Sequence, residues 1–129
     1  MATPVDGLAG RRLLVIEDES LLAMMLEAFV AEFGCEIAAI ASTFEDAMEK
    51  ARSLTFDAAI LDVNLGGRQS FPIAEALRER GAPFVLTTGY PASSLPASLR
   101  TSPVLQKPFQ QHQLRRALRA ALAAAPNRP

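Results

Sequence analysis

The sequence is poor in the residues that mark several classes of protein. Its 129 residues include no tryptophan and only one cysteine. A single cysteine excludes an internal disulfide framework and a cysteine-rich zinc site. The formal net charge of -1 argues against broad, direct binding to nucleic acid. Its apolar runs are too short to span a bilayer, and its N-terminus has no secretory-signal pattern. We therefore expect a cytoplasmic protein without membrane insertion.

The length and composition fit one globular domain. The chain is 50% hydrophobic and 21% charged, which is ordinary for a domain that buries a sizeable core. Proline and glycine punctuate the first ten residues, and two prolines lie in the last five. We expect a flexible leader over residues 1–10, one domain over residues 11–124 and a tail over residues 125–129.

Short apolar runs alternate with helical patterns along the chain. The runs at residues 13–16, 35–40, 56–61, 83–87 and 103–106 predict five strands. Such alternation predicts an α/β fold, in which a flavodoxin-like, doubly wound (βα)5 chain forms a parallel five-stranded sheet of order 2-1-3-4-5. Ser42 and Glu45 predict a capping box for the second helix. The prolines between residues 91 and 102 predict a short or irregular fourth helix.

Polar side chains follow four of these strands, at the edge of the sheet where ligands bind in such folds. They are Glu17 and Asp18, Asp62 with Asn64, Thr88, and Lys107. Clustered carboxylates repel one another and need a cation, and hard oxygen ligands suit Mg²⁺. A lysine beside them suits a phosphoryl group. Each residue alone has a plain structural interpretation as a cap, a turn or a surface charge, but the combination favours a site.

Four motifs carry these residues: LVIEDE at 14–19, AILDVNL at 59–65, TTGY at 87–90 and VLQKPF at 104–109. With these motifs in this order, residues 11–124 resemble the receiver domain of two-component response regulators. The resemblance implies Mg²⁺-dependent transfer of a phosphoryl group to an aspartate from a histidine kinase or phosphotransfer protein. It also implies phosphorelay signalling by a phosphoprotein rather than a true enzyme.

The resemblance implies a role for each residue of the site. Asp62 would be the phosphoacceptor that carries the aspartyl phosphate, Thr88 would bond a phosphoryl oxygen and Lys107 would pair with the phosphate. The ligands of Mg²⁺, or of a similar cation such as Mn²⁺, would be Asp18, Asp62, the backbone carbonyl of Asn64, and Glu17 through water. The Lys107–Pro108 bond would be cis.

The sequence departs from many receivers at the position three residues before the lysine. Val104 stands where an aromatic switch residue is common, and the only tyrosine is Tyr90, within a Thr-Gly-Tyr motif typical of one subgroup. Our hypothesis is that Thr88, Tyr90 and residues 91–102 carry the switch. The alternative is that Tyr90 simply lies on the surface. Arg115, Arg116 and Arg119 form a basic face on the last helix, which suits solvent or a partner.

The resulting functional hypothesis is a stand-alone receiver, monomeric or weakly dimeric. It would signal through contacts with an unidentified output protein, relay phosphate or act as a phosphate sink. The main alternative is a degenerate receiver that binds partners without phosphorylation. A haloacid-dehalogenase-like phosphatase would need a second aspartate where Asn64 stands, and a flavodoxin would need a phosphate loop in place of Glu17 to Glu19.

Overall fold

A five-stranded parallel sheet forms the centre of the computed structural model, which describes residues 7–124. Its strands run in the order β2-β1-β3-β6-β7. They are β1 (Arg12–Ile16), β2 (Glu36–Ala41), β3 (Ala58–Asp62), β6 (Phe84–Thr88) and β7 (Val104–Gln106), while β4 (Asn64–Leu65) and β5 (Arg68–Gln69) form a separate antiparallel hairpin. When the hairpin is set aside, this arrangement is the expected 2-1-3-4-5 order.

Four helices cover the two faces of the sheet. They are α1 (Ser20–Glu32), α2 (Phe44–Ser53), α3 (Phe71–Arg80) and α4 (Gln111–Ala124). Among the described residues, no helix combines the length and the apolar character that a membrane crossing requires.

The burial of β1 shows how the sheet divides the core. Leu14 and Ile16 pack on one face, together with residues of α2 and α3. Leu13 and Val15 pack on the opposite face, together with residues of α1 and α4. Since successive side chains of a strand point to opposite faces, a strand covered on both sides needs apolar residues at every position. The continuous apolar runs of the sequence therefore encode a sheet that is buried on both faces.

Helix α2 begins one residue later than the expected capping box requires. Thr43, and not Ser42, precedes the helix with an extended backbone, and its Oγ1 accepts the N–H of Asp46 at 3.1 Å. Ser42 lies one residue too far upstream to make this contact, so the Ser42 prediction is wrong. Glu45 instead pairs with Arg68, whose Nη1 lies 2.8 Å from its Oε2.

Two turns of 3-10 helix, Ala92–Ser94 and Ala97–Leu99, replace a regular helix between β6 and β7. Each turn begins directly after a proline, which supplies a fixed φ but no N–H for a longer helix. Leu95 lies between the two turns, Leu99 ends the second, and both are buried in the core. The segment therefore stays packed against the sheet. The prediction of a short or irregular helix is confirmed.

The expected tail, residues 125–129, and most of the expected leader lie outside the described residues. Within residues 7–10, Leu8 is fully buried, and Gly10 donates its N–H to the carbonyl of Gly34 at 2.8 Å. The hydrophobic core therefore begins upstream of residue 11.

Candidate functional site

Three carboxylates meet where β1 and β3 end. Glu17 and Asp18 follow β1, Asp62 closes β3, and one oxygen from each lies within 4.8 Å of the others. The parallel register that aligns Ile16 with Leu61 brings Glu17 beside Asp62. Glu17 and Asp62 are buried and Asp18 is exposed, so the cluster has one side open to solvent. The strand order therefore brings the three acids together, as expected from the sequence.

Lys107 provides the positive charge of the site. Its Nζ lies 3.0 Å from Oδ2 of Asp62 and 3.5 Å from Oε1 of Glu17. The lysine directly follows β7, and its N–H donates to the carbonyl of Thr88 at 2.7 Å, so backbone pairing with β6 fixes its starting point. The Lys107–Pro108 bond is cis. The ammonium therefore reaches across from the edge strand to the central carboxylates.

The pKa values of Glu17 and Lys107 are both raised in this crowded site. Burial, followed by the negative charge of Asp62 and a hydrogen bond shared with it, raises the pKa of Glu17 from 4.5 to about 7. Burial alone would lower the pKa of Lys107, but the hydrogen bond and charge of Asp62, together with Glu17, raise it above 10.5. Even with Lys107 present, the negative charges of the three carboxylates are therefore not fully compensated.

The β4–β5 hairpin and Ser70, which follows it, donate hydrogen bonds to two of the acids. The N–H of Gly66 donates to Oδ2 of Asp18 at 3.0 Å, and the N–H of Asn64 donates to Oδ1 of Asp62 at 3.1 Å. The buried hydroxyl of Ser70 donates to the carbonyl of Asp62 at 2.6 Å. These contacts orient two of the three carboxylates.

Sequence reasoning missed this hairpin and the roles of Gly66 and Ser70. The available signal was the Gly66-Gly67 pair, which has φ values of 59° and 82°. A two-residue turn with two positive φ angles is typical of a tight hairpin and favours glycine. A Gly-Gly pair that begins four residues after a strand-end aspartate could have indicated the turn.

Thr88 and Tyr90 form the remaining wall of the site. Thr88 is buried at the end of β6, and its Oγ1 accepts the N–H of Tyr90 at 3.1 Å. Tyr90 itself is 64% exposed. An open pocket of about 450 Å³ is lined by Asp18, Asp62, Asn64, Thr88, Tyr90 and Lys107. These are six of its nine lining residues, and all six belong to the site expected from the sequence.

The donor set fits a hard divalent cation. The three clustered acids offer carboxylate oxygens, and the exposed side of Asp18 leaves room for water ligands. Magnesium prefers oxygen donors and usually keeps several waters. The raised pKa of Glu17 is a second sign of fit, because an added cation would offset the part of the rise that comes from the negative charge of Asp62.

The family model of the response regulator receiver domain matches residues 13–119. The chain belongs to this family. The membership and the parallel five-stranded fold expected from the sequence are confirmed, and a receiver is a signalling module rather than a true enzyme. Family membership also separates the chain from the phosphatase and flavodoxin alternatives.

Relatives of known structure support the same conclusion. SdrG from Sphingomonas melonis Fr1 is 42% identical, with a TM-score of 0.77 over 92% of this chain and 99% of SdrG. The receiver domain of PhyR from Erythrobacter litoralis is 26% identical, with a TM-score of 0.81 over 95% of this chain and 97% of that domain.

A curated relative is longer than this chain. The transcriptional regulatory protein PdtaR of Mycobacterium tuberculosis is 32% identical over 125 residues. The match includes 94% of this chain and 61% of PdtaR, so the chain spans less than two thirds of that relative's length.

Proposed function

We propose that this receiver accepts a phosphoryl group on Asp62 from a histidine kinase or phosphotransfer protein. The observation that carries the proposal is the 3.0 Å contact between Lys107 Nζ and Oδ2 of Asp62, within a pocket open to solvent. A carboxylate that lies at a pocket and is paired with an ammonium has the nucleophile and a charge partner for the incoming phosphate in one place.

The proposed transfer moves one phosphoryl group between two nucleophiles. An oxygen of Asp62 forms a bond to phosphorus while the bond from phosphorus to the donor's imidazole nitrogen breaks. Lys107 offsets the negative charge of the phosphoryl oxygens, and the hydroxyl of Thr88 donates a hydrogen bond to one of them. Both side chains line the pocket that contains Asp62. Ser70 and Asn64 hold the aspartate in position through its carbonyl and its Oδ1.

The acids around Asp62 are the proposed metal ligands. Asp18, Asp62, the backbone carbonyl of Asn64, and Glu17 through water would hold Mg²⁺ or Mn²⁺. When bound, the cation supplies neutralising charge for the approach of an anionic donor to an anionic nucleophile. Gly66 orients Asp18 through its N–H, which keeps one carboxylate oxygen engaged and leaves the other available.

Thr88 and Tyr90 are the proposed switch. The N–H of Tyr90 donates to Thr88 Oγ1. A rotation of that hydroxyl toward a phosphoryl group would therefore break the hydrogen bond from the Tyr90 N–H. The change would pass directly into the two 3-10 turns that follow. Amide hydrogen exchange over residues 90–102, with and without beryllofluoride as phosphoryl mimic, tests this; unchanged exchange there would leave Tyr90 as a surface residue only.

The signalling output within this proposal is a contact with another protein, a phosphorelay step or a phosphate sink. The chain would act without direct contact to nucleic acid and as a monomer or weak dimer. Size-exclusion chromatography with light scattering, with and without beryllofluoride, measures the oligomeric state.

Intact-mass spectrometry after incubation with Mg²⁺ and acetyl phosphate tests the proposed acceptor. We expect one phosphoryl group on the wild type, none on Asp62→Asn and none after chelation of the metal. Asp46→Asn is a matched control, since Asp46 lies on α2 and pairs with Lys50 outside the pocket. If neither acetyl phosphate nor a histidine kinase labels the wild type, the degenerate receiver is the correct function.

A further inference from the structure

The β4–β5 hairpin contacts both the acidic cluster and helix α2. The N–H of Asn64 donates to Oδ1 of Asp62, and the N–H of Gly66 donates to Oδ2 of Asp18. Arg68, on the returning strand β5, reaches α2. The hairpin is therefore a physical link between two carboxylates of the site and a helix that does not line the pocket.

The two strands of the hairpin are held to the rest of the fold in different ways. Leu65 of β4 is buried in the core, whereas both residues of β5, Arg68 and Gln69, are exposed. Gly66 and Gly67 between the strands have positive φ angles, and glycine moves easily in and out of this conformation. Because an isolated two-stranded hairpin is only marginally stable in water, β5 needs contacts outside the hairpin to keep its place.

Arg68 provides such contacts at the start of α2. Its Nη1 lies 2.8 Å from Oε2 of Glu45, and its Cζ lies 3.7 Å from the centre of the Phe44 ring. An exposed ion pair alone contributes little, but the planar guanidinium makes both contacts at once. Phe44 and Glu45 are the first two residues of α2 and directly follow the Thr43 cap. Arg68 therefore fixes β5 to a part of the fold that has its own support.

Arg68 lies outside the pocket on which it would act. It is not among the residues that line the pocket around Asp62. It lines a groove on α2 instead, together with Phe44, Met48 and Arg52. An effect of Arg68 on the site must therefore pass through the hairpin and not through contact with a phosphoryl group or a cation.

We propose that Arg68 is a positioning residue for the cation site of this receiver. By holding β5 against α2, it keeps the Gly66 N–H on Oδ2 of Asp18, so this exposed carboxylate presents its other oxygen in one orientation. A ligand that is ordered before binding loses less conformational entropy when the cation arrives. The inference rests on the metal site of the proposed function and adds a residue that lies outside that site.

A titration of the metal-free protein with magnesium chloride, followed by nuclear magnetic resonance shifts of backbone amides, tests the proposal. Arg68→Ala is expected to raise the apparent Kd for Mg²⁺ about fivefold, less than the loss of a direct partner of a metal ligand causes. Charge alone predicts the opposite sign, because removal of a cationic side chain favours the binding of a cation. The direction of the change therefore separates positioning from charge.

Arg52→Ala is the matched control. Arg52 is an exposed arginine of α2 that lines the same groove and does not belong to the hairpin. Its replacement removes the same charge and is expected to leave the Kd for Mg²⁺ within about twofold of the wild type, because exposed charges are screened. Arg68→Lys keeps the charge but loses the planar group, so its Kd is expected to lie between those of Arg68→Ala and the wild type.

The Phe44 ring tests the same contact without a change of charge. Phe44→Leu is expected to weaken Mg²⁺ binding about twofold, because the guanidinium loses one of its two partners. In the Arg68→Ala background the same substitution is expected to add nothing, since residues that share one contact are not additive. Far-ultraviolet circular dichroism establishes that the variants fold.

Amide hydrogen exchange without metal provides a readout that is independent of phosphorylation. The Gly66 amide is expected to exchange about fivefold faster in Arg68→Ala than in the wild type, because release of β5 frees the N–H that is bonded to Asp18. In Arg52→Ala it is expected to exchange at the wild-type rate.

The outcomes distinguish this inference from the function on which it rests. Unchanged or tighter Mg²⁺ binding by Arg68→Ala, or equal weakening in Arg52→Ala, would overturn the role of Arg68 and leave the proposed function intact. If the wild type binds Mg²⁺ but gains no phosphoryl group by intact mass, the proposed phosphorylation fails while the titration still decides the role of Arg68. A wild type that binds no Mg²⁺ would overturn both.

Discussion

Replacing Glu17 by glutamine tests the electrostatics of the acidic cluster. The glutamate side chain is only 1% exposed, and burial beside Asp62 raises its pKa to about 7 from an ordinary 4.5. A difference of this size corresponds to about 3 kcal/mol between the ionised and protonated forms. Glutamine keeps the shape and carries no charge. Without divalent cations at about pH 8, we therefore expect Glu17→Gln to be more stable than the wild type by about 1–3 kcal/mol.

The sign of this effect depends on pH in a defined way. The pKa of Glu17 is higher in the folded protein than in the unfolded chain, so the fold favours the protonated form. The stabilisation from protonation is complete below about pH 4.5 and is lost as the pH rises through about 7. The difference in stability between Glu17→Gln and the wild type should therefore increase from about pH 4.5 to about pH 7.

Urea denaturation at several pH values, in the presence of a chelator, measures the difference. Glu49→Gln is the matched control, since Glu49 is an exposed residue of α2. This substitution removes one exposed charge and should change stability by about 0.5 kcal/mol or less. Added Mg²⁺ should reduce the advantage of Glu17→Gln, because the cation offsets the repulsion that glutamine removes. A Glu17→Gln effect that does not change with pH would refute the reasoning.

Three further substitutions probe the supports of the site by urea denaturation. Lys107→Ala removes the ammonium beside buried Asp62 and should lower stability by about 1–3 kcal/mol, with partial recovery in Mg²⁺. Ser70→Ala removes the donor to the Asp62 carbonyl and should lower stability by about 1 kcal/mol; a neutral effect would contradict the role of that contact. Gly81→Ala places a side chain at a φ of 74° and should lower stability by about 1–2 kcal/mol, whereas Gly89→Ala, with open space around it, should change little.

The arrangement of the site could be predicted because it depends on few variables. A parallel sheet of known strand order places the ends of β1, β3, β6 and β7 side by side. Any residue at those ends must then lie near the others, whatever the details of the loops. Asp62 and Lys107 are 45 positions apart and still meet at 3.0 Å, because each is tied to a strand end.

The supports of the site could not be predicted in the same way, because they depend on the path of a loop. The contact from Gly66 to Asp18 joins residues 48 positions apart, and neither position alone indicates the other. The cap of α2 fell on Thr43 instead of Ser42 for a related reason. Two adjacent hydroxyl residues are equally suitable by type, and only the starting residue of the helix selects between them.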